Sequence, residues 1–175
     1  MKKDSFRFES ATDVRKEWSL FFDKAVREKP VFIKRTRDNA VLADVRFISL
    51  LLENYTFDCT VYKEEDGTIT LSSNMFDLVE NGSTEEEAKS KMASGILEYA
   101  EDFYAEYEVW SIAPNRRSHI PYVYKALLLN DIGKIGDLIR CQSGENESVQ
   151  REWRDSLSYV ERNIKKTAPG DARRV

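Results

Sequence analysis

The sequence predicts an α+β fold: a strand, helix and strand-pair head, then a β-hairpin followed by a long helix, then shorter C-terminal helices. Three observations predict it. Apolar residues recur at helical spacing from Ala11 to Val26, they alternate singly from Phe57 to Leu71, and they return to helical spacing from Ala88 to Tyr107. The expected boundaries are a head over 1–54, an α+β module with helical cover over 55–141, and a linker, amphipathic helix and tail over 142–175.

In the head, Ser10 stands where an N-cap belongs and Asp13 three residues on where a capping-box acid would reach back. The helix should start near Ala11, with Ala11, Val14, Trp18, Phe21, Phe22, Ala25 and Val26 forming one face to be buried. Lys29-Pro30 ends it, because proline disfavours the helical conformation of the residue before it. VFIKR and NAVLADV then read as strands around a tight polar turn. A short helix over Asp44–Glu53, with Asn54 as its stop, closes the head.

From Thr56 the period changes to two. TFDCTVY and TITLSS alternate on either side of EEDG, which predicts a hairpin. Asn74 to Ser83 is an apolar segment ending in the turn signal Asn81-Gly82. Thr84 and Glu87 make a second capping box, opening a helix of about 25 residues to near Trp110, with Ala88, Met92, Ile96, Tyr99, Phe103 and Tyr107 inward. Arg116–Asn130 and Asp131–Cys141 read as short helices covering it, and QSGENE reads as a linker. Beyond that, Val149, Trp153, Leu157, Val160 and Ile164 form a narrow apolar stripe, and the tail after Thr167 is expected to be disordered. The stripe either docks on its own domain or lies in a groove on a partner, with Trp153 as anchor.

The net charge of −4 conceals a split: residues 1–46 carry +4, residues 47–147 carry −11 and residues 148–175 carry +3. A basic head suits a phosphate backbone, and an acidic middle suits a basic protein. No apolar run approaches the length of a bilayer crossing, and MKKDSFRFES has no apolar signal core, so a cytoplasmic protein is expected.

Catalysis finds little material. The single histidine, His119, has no second histidine or cysteine near it in sequence, and Cys59 and Cys141 lack metal-like spacing and read as reduced thiols. No phosphate-binding or nucleophile-elbow motif occurs. The expectation is therefore no catalytic residue, no metal and no cofactor. Asp58, Glu64, Glu65 and Asp66 keep open the alternative of a metal-dependent nuclease, although three of them sit in a hairpin turn where acids are ordinary.

The order SATDVRKEWSLFFDKAV, PVFIKR, NAVLADV resembles the N-terminal domain of the Phd/YefM antitoxins of bacterial toxin-antitoxin systems. The resemblance implies a homodimer that binds operator DNA through arginines near the start of the first helix and beside the strand turn, here Arg15 and Arg35. With these, Arg7, Lys16, Lys34 and Arg37 form the candidate DNA-binding set. The usual glycine of the strand turn is replaced by Thr36-Arg37-Asp38-Asn39. The order DGTITLSSNMFDLVENGSTEEEAKSKMASGILEYAEDFY is similar to the HicB-type antitoxin core, which implies a degenerate ribonuclease-H-like unit that binds a toxin. Together the resemblances imply a non-enzymatic type II antitoxin and transcriptional repressor. Its partners would be operator DNA and a small basic RelE-type mRNA endonuclease, held in part by Trp153, Leu157, Val160 and Ile164. The other alternative is an oligomeric adaptor that does not bind DNA.

Overall fold

The computed structural model describes residues 6–144. It is a mixed α+β chain with two sheets. The described residues divide into two units: one comprises 6–56 with Ile96–Ile135, the other Phe57–Gly95 with 136–144.

The head begins with the two-residue strand β1 (Glu9–Ser10), and α1 (Ala11–Lys16) follows directly. Ser10 caps α1 as its sequence position predicts, its hydroxyl accepting from the Thr12 amide at 3.2 Å. At Glu17 the backbone leaves helical geometry, and α2 (Trp18–Arg27) continues as a separate helix. The hairpin of β2 (Val31–Arg35) and β3 (Asp38–Leu42) completes a sheet of order β1-β2-β3, with β1 parallel to β2. Thr36 opens the turn at φ +53°, in the left-handed region that favours glycine. Helix α3 (Val45–Leu51) is capped by Asp44, whose carboxylate accepts from the Arg46 amide at 2.7 Å.

The expected buried face of the first helix is corrected in part. Val14, Phe21 and Ala25 are buried with Val31, and Ile33 and Leu42 pack against them. Trp18 and Phe22 are instead exposed, their rings 5.9 Å apart. All four of these α2 residues lie on one helix, where Trp18 and Phe22 form one row at i, i+4 spacing and Phe21 and Ala25 the neighbouring row, and only the second row is covered by the head sheet.

The second sheet has order β6-β5-β4-β7. Strands β4 (Phe57–Lys63) and β5 (Ile69–Ser73) form the predicted hairpin. Asp66 closes its turn by accepting from the Thr68 amide and hydroxyl, and Gly67 supplies φ +87°. These bonds hold the Asp66 carboxyl below its ordinary range. Two strands depart from expectation. β6 (Val79–Gly82) pairs with β5 where an apolar segment ending in a turn was expected. β7 (Ile139–Ser143) pairs parallel with β4 where the end of a helix and the start of a linker were expected. One face of this sheet carries Phe57, Cys59, Leu71 and Ile139, all buried.

Helix α4 (Glu85–Ala105) starts at the predicted box. The Glu87 amide donates to the Thr84 hydroxyl at 3.1 Å, while the Glu87 carboxylate accepts from the Ser83 amide at 2.9 Å, one residue earlier than a standard box. Ala88, Met92, Ile96 and Phe103 are fully buried as expected. The long helix ends sooner than its pattern suggested. The backbone breaks at Glu106, α5 (Tyr107–Trp110) makes one further turn, and Tyr107 is partly exposed rather than inward.

A 3-10 turn (Arg117–His119) leads into α6 (Ile120–Leu129), with Pro121 in its first turn, where a missing amide hydrogen costs nothing. Asn130 ends α6 in the left-handed conformation at φ +43°. Helix α7 (Ile132–Asp137) precedes β7. Tyr99, on α4, shares a 2.7 Å hydrogen bond with His119 Nδ1, which gives the one histidine a structural partner. No helix among the described residues is long and apolar enough to cross a membrane.

Candidate functional site

The head presents its cations along one connected piece of backbone. The register pairs Ser10 with Lys34, so the start of α1 lies beside the end of β2. Arg15 and Lys16 occupy the last turn of α1, where cations also suit the negative helix end. Lys34 and Arg35 end β2, and Arg37 lies in the turn that follows. All five are exposed, and among the described residues none of the five forms an ion pair. Arg7 differs: its Nε donates to Glu9 at 3.2 Å. Arg46, outside the candidate set, is committed to Asp44 at 2.6 Å, and the same contact holds the Asp44 carboxyl below its ordinary range.

Strand alternation separates these cations by face. Val31 and Ile33 point to the helix side, where they join the head core, so Arg35 shares that side and Phe32 and Lys34 take the other. On the Lys34 side, the Phe6 and Phe8 rings meet Phe32 edge-on at 5.1 and 5.9 Å. Phe6 is 70% exposed there, and Val41, paired with Phe32, is exposed too. The sequence alone does not reveal this aromatic face. Phe6 and Phe8 precede the regular elements, and only the parallel pairing of β1 with β2 brings them over Phe32.

What the arrangement offers chemically is positive charge and hydrogen-bond donors. The exposed guanidinium and ammonium groups can donate to phosphate oxygens. The carboxylates considered for metal chemistry are spread over β4 and its turn, and among the described residues no three His, Cys, Asp or Glu side chains gather as a metal set. Cys59 and Cys141 stand opposite one another across β4 and β7, free as expected. Burial pushes the Cys59 thiol up to about 12 and raises Cys141 as well, so neither is poised as a nucleophile. The expected partner-binding residues Trp153, Leu157, Val160 and Ile164 lie outside the described residues.

Comparison with known proteins bears on the same region. A PHD-like family model, described as antitoxin of toxin-antitoxin, RelE/RelB, TA system, matches residues 6–141. It runs without interruption through both stretches that carry the separate sequence resemblances. A crystal structure of an antitoxin part of a candidate toxin/antitoxin system from Syntrophomonas wolfei subsp. wolfei is 33% identical, covers 79% of this chain and 100% of its own, and superposes with a TM-score of 0.76. No curated protein matches. Antitoxins of this class are typically non-enzymatic and have a cognate toxin as partner. The chain belongs to the PHD-like family of antitoxins of RelE/RelB-type toxin-antitoxin systems.

Proposed function

We propose that this antitoxin acts as a homodimer that represses its own operon through the head and neutralises a small basic RelE-type mRNA endonuclease by direct binding. The observation that carries the DNA half is that Arg15, Lys16, Lys34, Arg35 and Arg37 are all exposed on the head, with Lys34 set beside the start of α1 by the Ser10–Lys34 register. A two-fold axis would double this set, as a palindromic operator requires. The exposed head residues Phe6, Trp18, Leu20, Leu50 and Leu51 support a dimer, since apolar groups in that number on a small head call for a partner.

The toxin half rests on the −11 charge of residues 47–147, which complements a basic RNA-binding surface and would mask it sterically and electrostatically. The β4–β5 hairpin, the third strand and the returning parallel strand support reading this region as an α+β module of the HicB kind. We read that unit as a degenerate ribonuclease-H-like module used for binding. Trp153, Leu157, Val160 and Ile164 are a further proposed toxin contact.

The test is titration of a labelled duplex from the chain's own promoter at several salt concentrations. Tight binding whose affinity falls with salt is expected, and Arg15→Ala with Arg35→Ala should lower the salt slope by about 0.9 for each phosphate that the variant no longer neutralises. An unchanged slope, or no binding with or without toxin, would contradict the repressor reading and favour an oligomeric adaptor.

A further inference from the structure

The surface where α4 ends and α6 packs beside it joins exposed aromatic rings to carboxylates that form no ion pair among the described residues. Tyr104 is 59% exposed, and Tyr107 is partly exposed. Both rings meet Tyr124 of α6 edge-on, at centroid distances of 6.5 and 6.3 Å. Val109 and Ile112, 65% and 78% exposed, continue the apolar character beyond them. From Ile96 to Asn115 the sequence has five carboxylates and no lysine or arginine. Of the five, Glu101 precedes Tyr104 by one helical turn and Glu108 follows Tyr107, and both are exposed. Helix α4 has no basic residue in its last turn, so the partial negative charge of its C-terminal carbonyls adds to theirs. The next cation, Arg116, is stacked over the Trp110 ring at 4.1 Å from its centroid.

Rings that offer a negative face, beside carboxylates with no ion pair among the described residues, form a surface for guanidinium and ammonium groups with apolar stems. We infer that the Tyr104–Tyr107–Tyr124 surface, with Glu101 and Glu108, is a docking site for an arginine- or lysine-rich segment of the cognate toxin. The choice of occupant rests on the antitoxin reading above and on charge complementarity. Aromatic anchors surrounded by acids give such a contact both affinity and a fast, salt-sensitive encounter. The surface lies within one structural unit, and none of its residues belongs to the head's set of cations.

The experiment uses the full chain and, as probe, the small protein encoded in the reading frame next to its own. Binding is measured by calorimetry at low and high salt for the unaltered chain, for Tyr104→Ala, for the pair Glu101→Lys and Glu108→Lys, and for Trp153→Ala. Circular dichroism and thermal midpoints check that each variant folds. The surface predicts at least a tenfold loss of affinity for Tyr104→Ala and a larger loss for the charge reversal, with the midpoint held. Affinity within twofold of the unaltered chain for both overturns the surface while leaving the antitoxin pairing intact, and a loss confined to Trp153→Ala would assign the contact to the C-terminal stripe. No binding by the unaltered chain overturns the pairing and the surface with it. If Tyr104→Ala changes the chain's own oligomeric state and leaves toxin affinity alone, a second copy is the occupant and the inference is wrong.

Discussion

Gly82 at the end of β6 lies directly under Ala88 of α4: a Cβ built on Gly82 would stand 2.5 Å from the Ala88 amide nitrogen and 3.0 Å from its Cα. The obstruction is helix backbone, so rotating a side chain cannot relieve it. Gly82→Ala should therefore push the start of α4 off the sheet and destabilise the protein by about 1–3 kcal/mol, the usual range for overpacking. Urea denaturation would measure it. A midpoint within error of the unaltered chain would show that strand and helix are less closely apposed.

The start of α4 also sets an acid dependence. Glu87 accepts from Ser83 and pairs with Lys91 at 2.8 Å, and these contacts depress its carboxyl to about 2. A depressed carboxyl stabilises the fold fully above its unfolded value, near 4.5, and that contribution is lost as pH falls through about 2. Glu87→Gln should lower stability at neutral pH, and its difference from the unaltered chain should shrink steadily below pH ~4.5. Thermal melts of both proteins from pH 7 to 2.5 check this. A constant difference would exclude Glu87 as the titrating group.

Thr36 holds a β-branched side chain at φ +53° in the β2–β3 turn. Asparagine tolerates that conformation better, so Thr36→Asn should stabilise the head by about 0.5–1 kcal/mol. Because the turn follows Lys34 and Arg35 directly, DNA affinity in the same variant reports whether the present turn also aims them.

Cys59 and Cys141 should resist alkylation in the native protein at pH 7–8, because burial holds both thiols in the protonated form. Intact-mass measurement after iodoacetamide treatment is expected to show little label until denaturant is added. Rapid native labelling of Cys59, which is fully buried where Cys141 is half-buried, would mean that its cover opens readily.

Local pattern and long-range pairing account for what the sequence revealed and what it hid. Ser10, the β4–β5 alternation and the Thr84–Glu87 cap are local signals, and the structure has all three. β7 was hidden because Ile135, Leu138 and Ile139 continue a helical spacing, whereas the strand exists through its pairing with Phe57–Val61, far away in sequence. β6 was hidden because Val79–Gly82 is a short edge strand ending in Asn-Gly, which reads as a turn. The candidate cations were readable as residue types, but Lys34 came next to the helix start only through the β1–β2 register. Exposed Trp18 and Phe22 show the converse limit: an apolar stripe announces burial without saying whether the cover is the same chain or another.

The most direct test is co-expression of this chain with the small protein encoded beside it, followed by affinity purification through this chain. Stoichiometric recovery of a small basic protein that is toxic when expressed alone is the predicted result. Recovery of this chain by itself, with no toxicity to neutralise, would contradict the account.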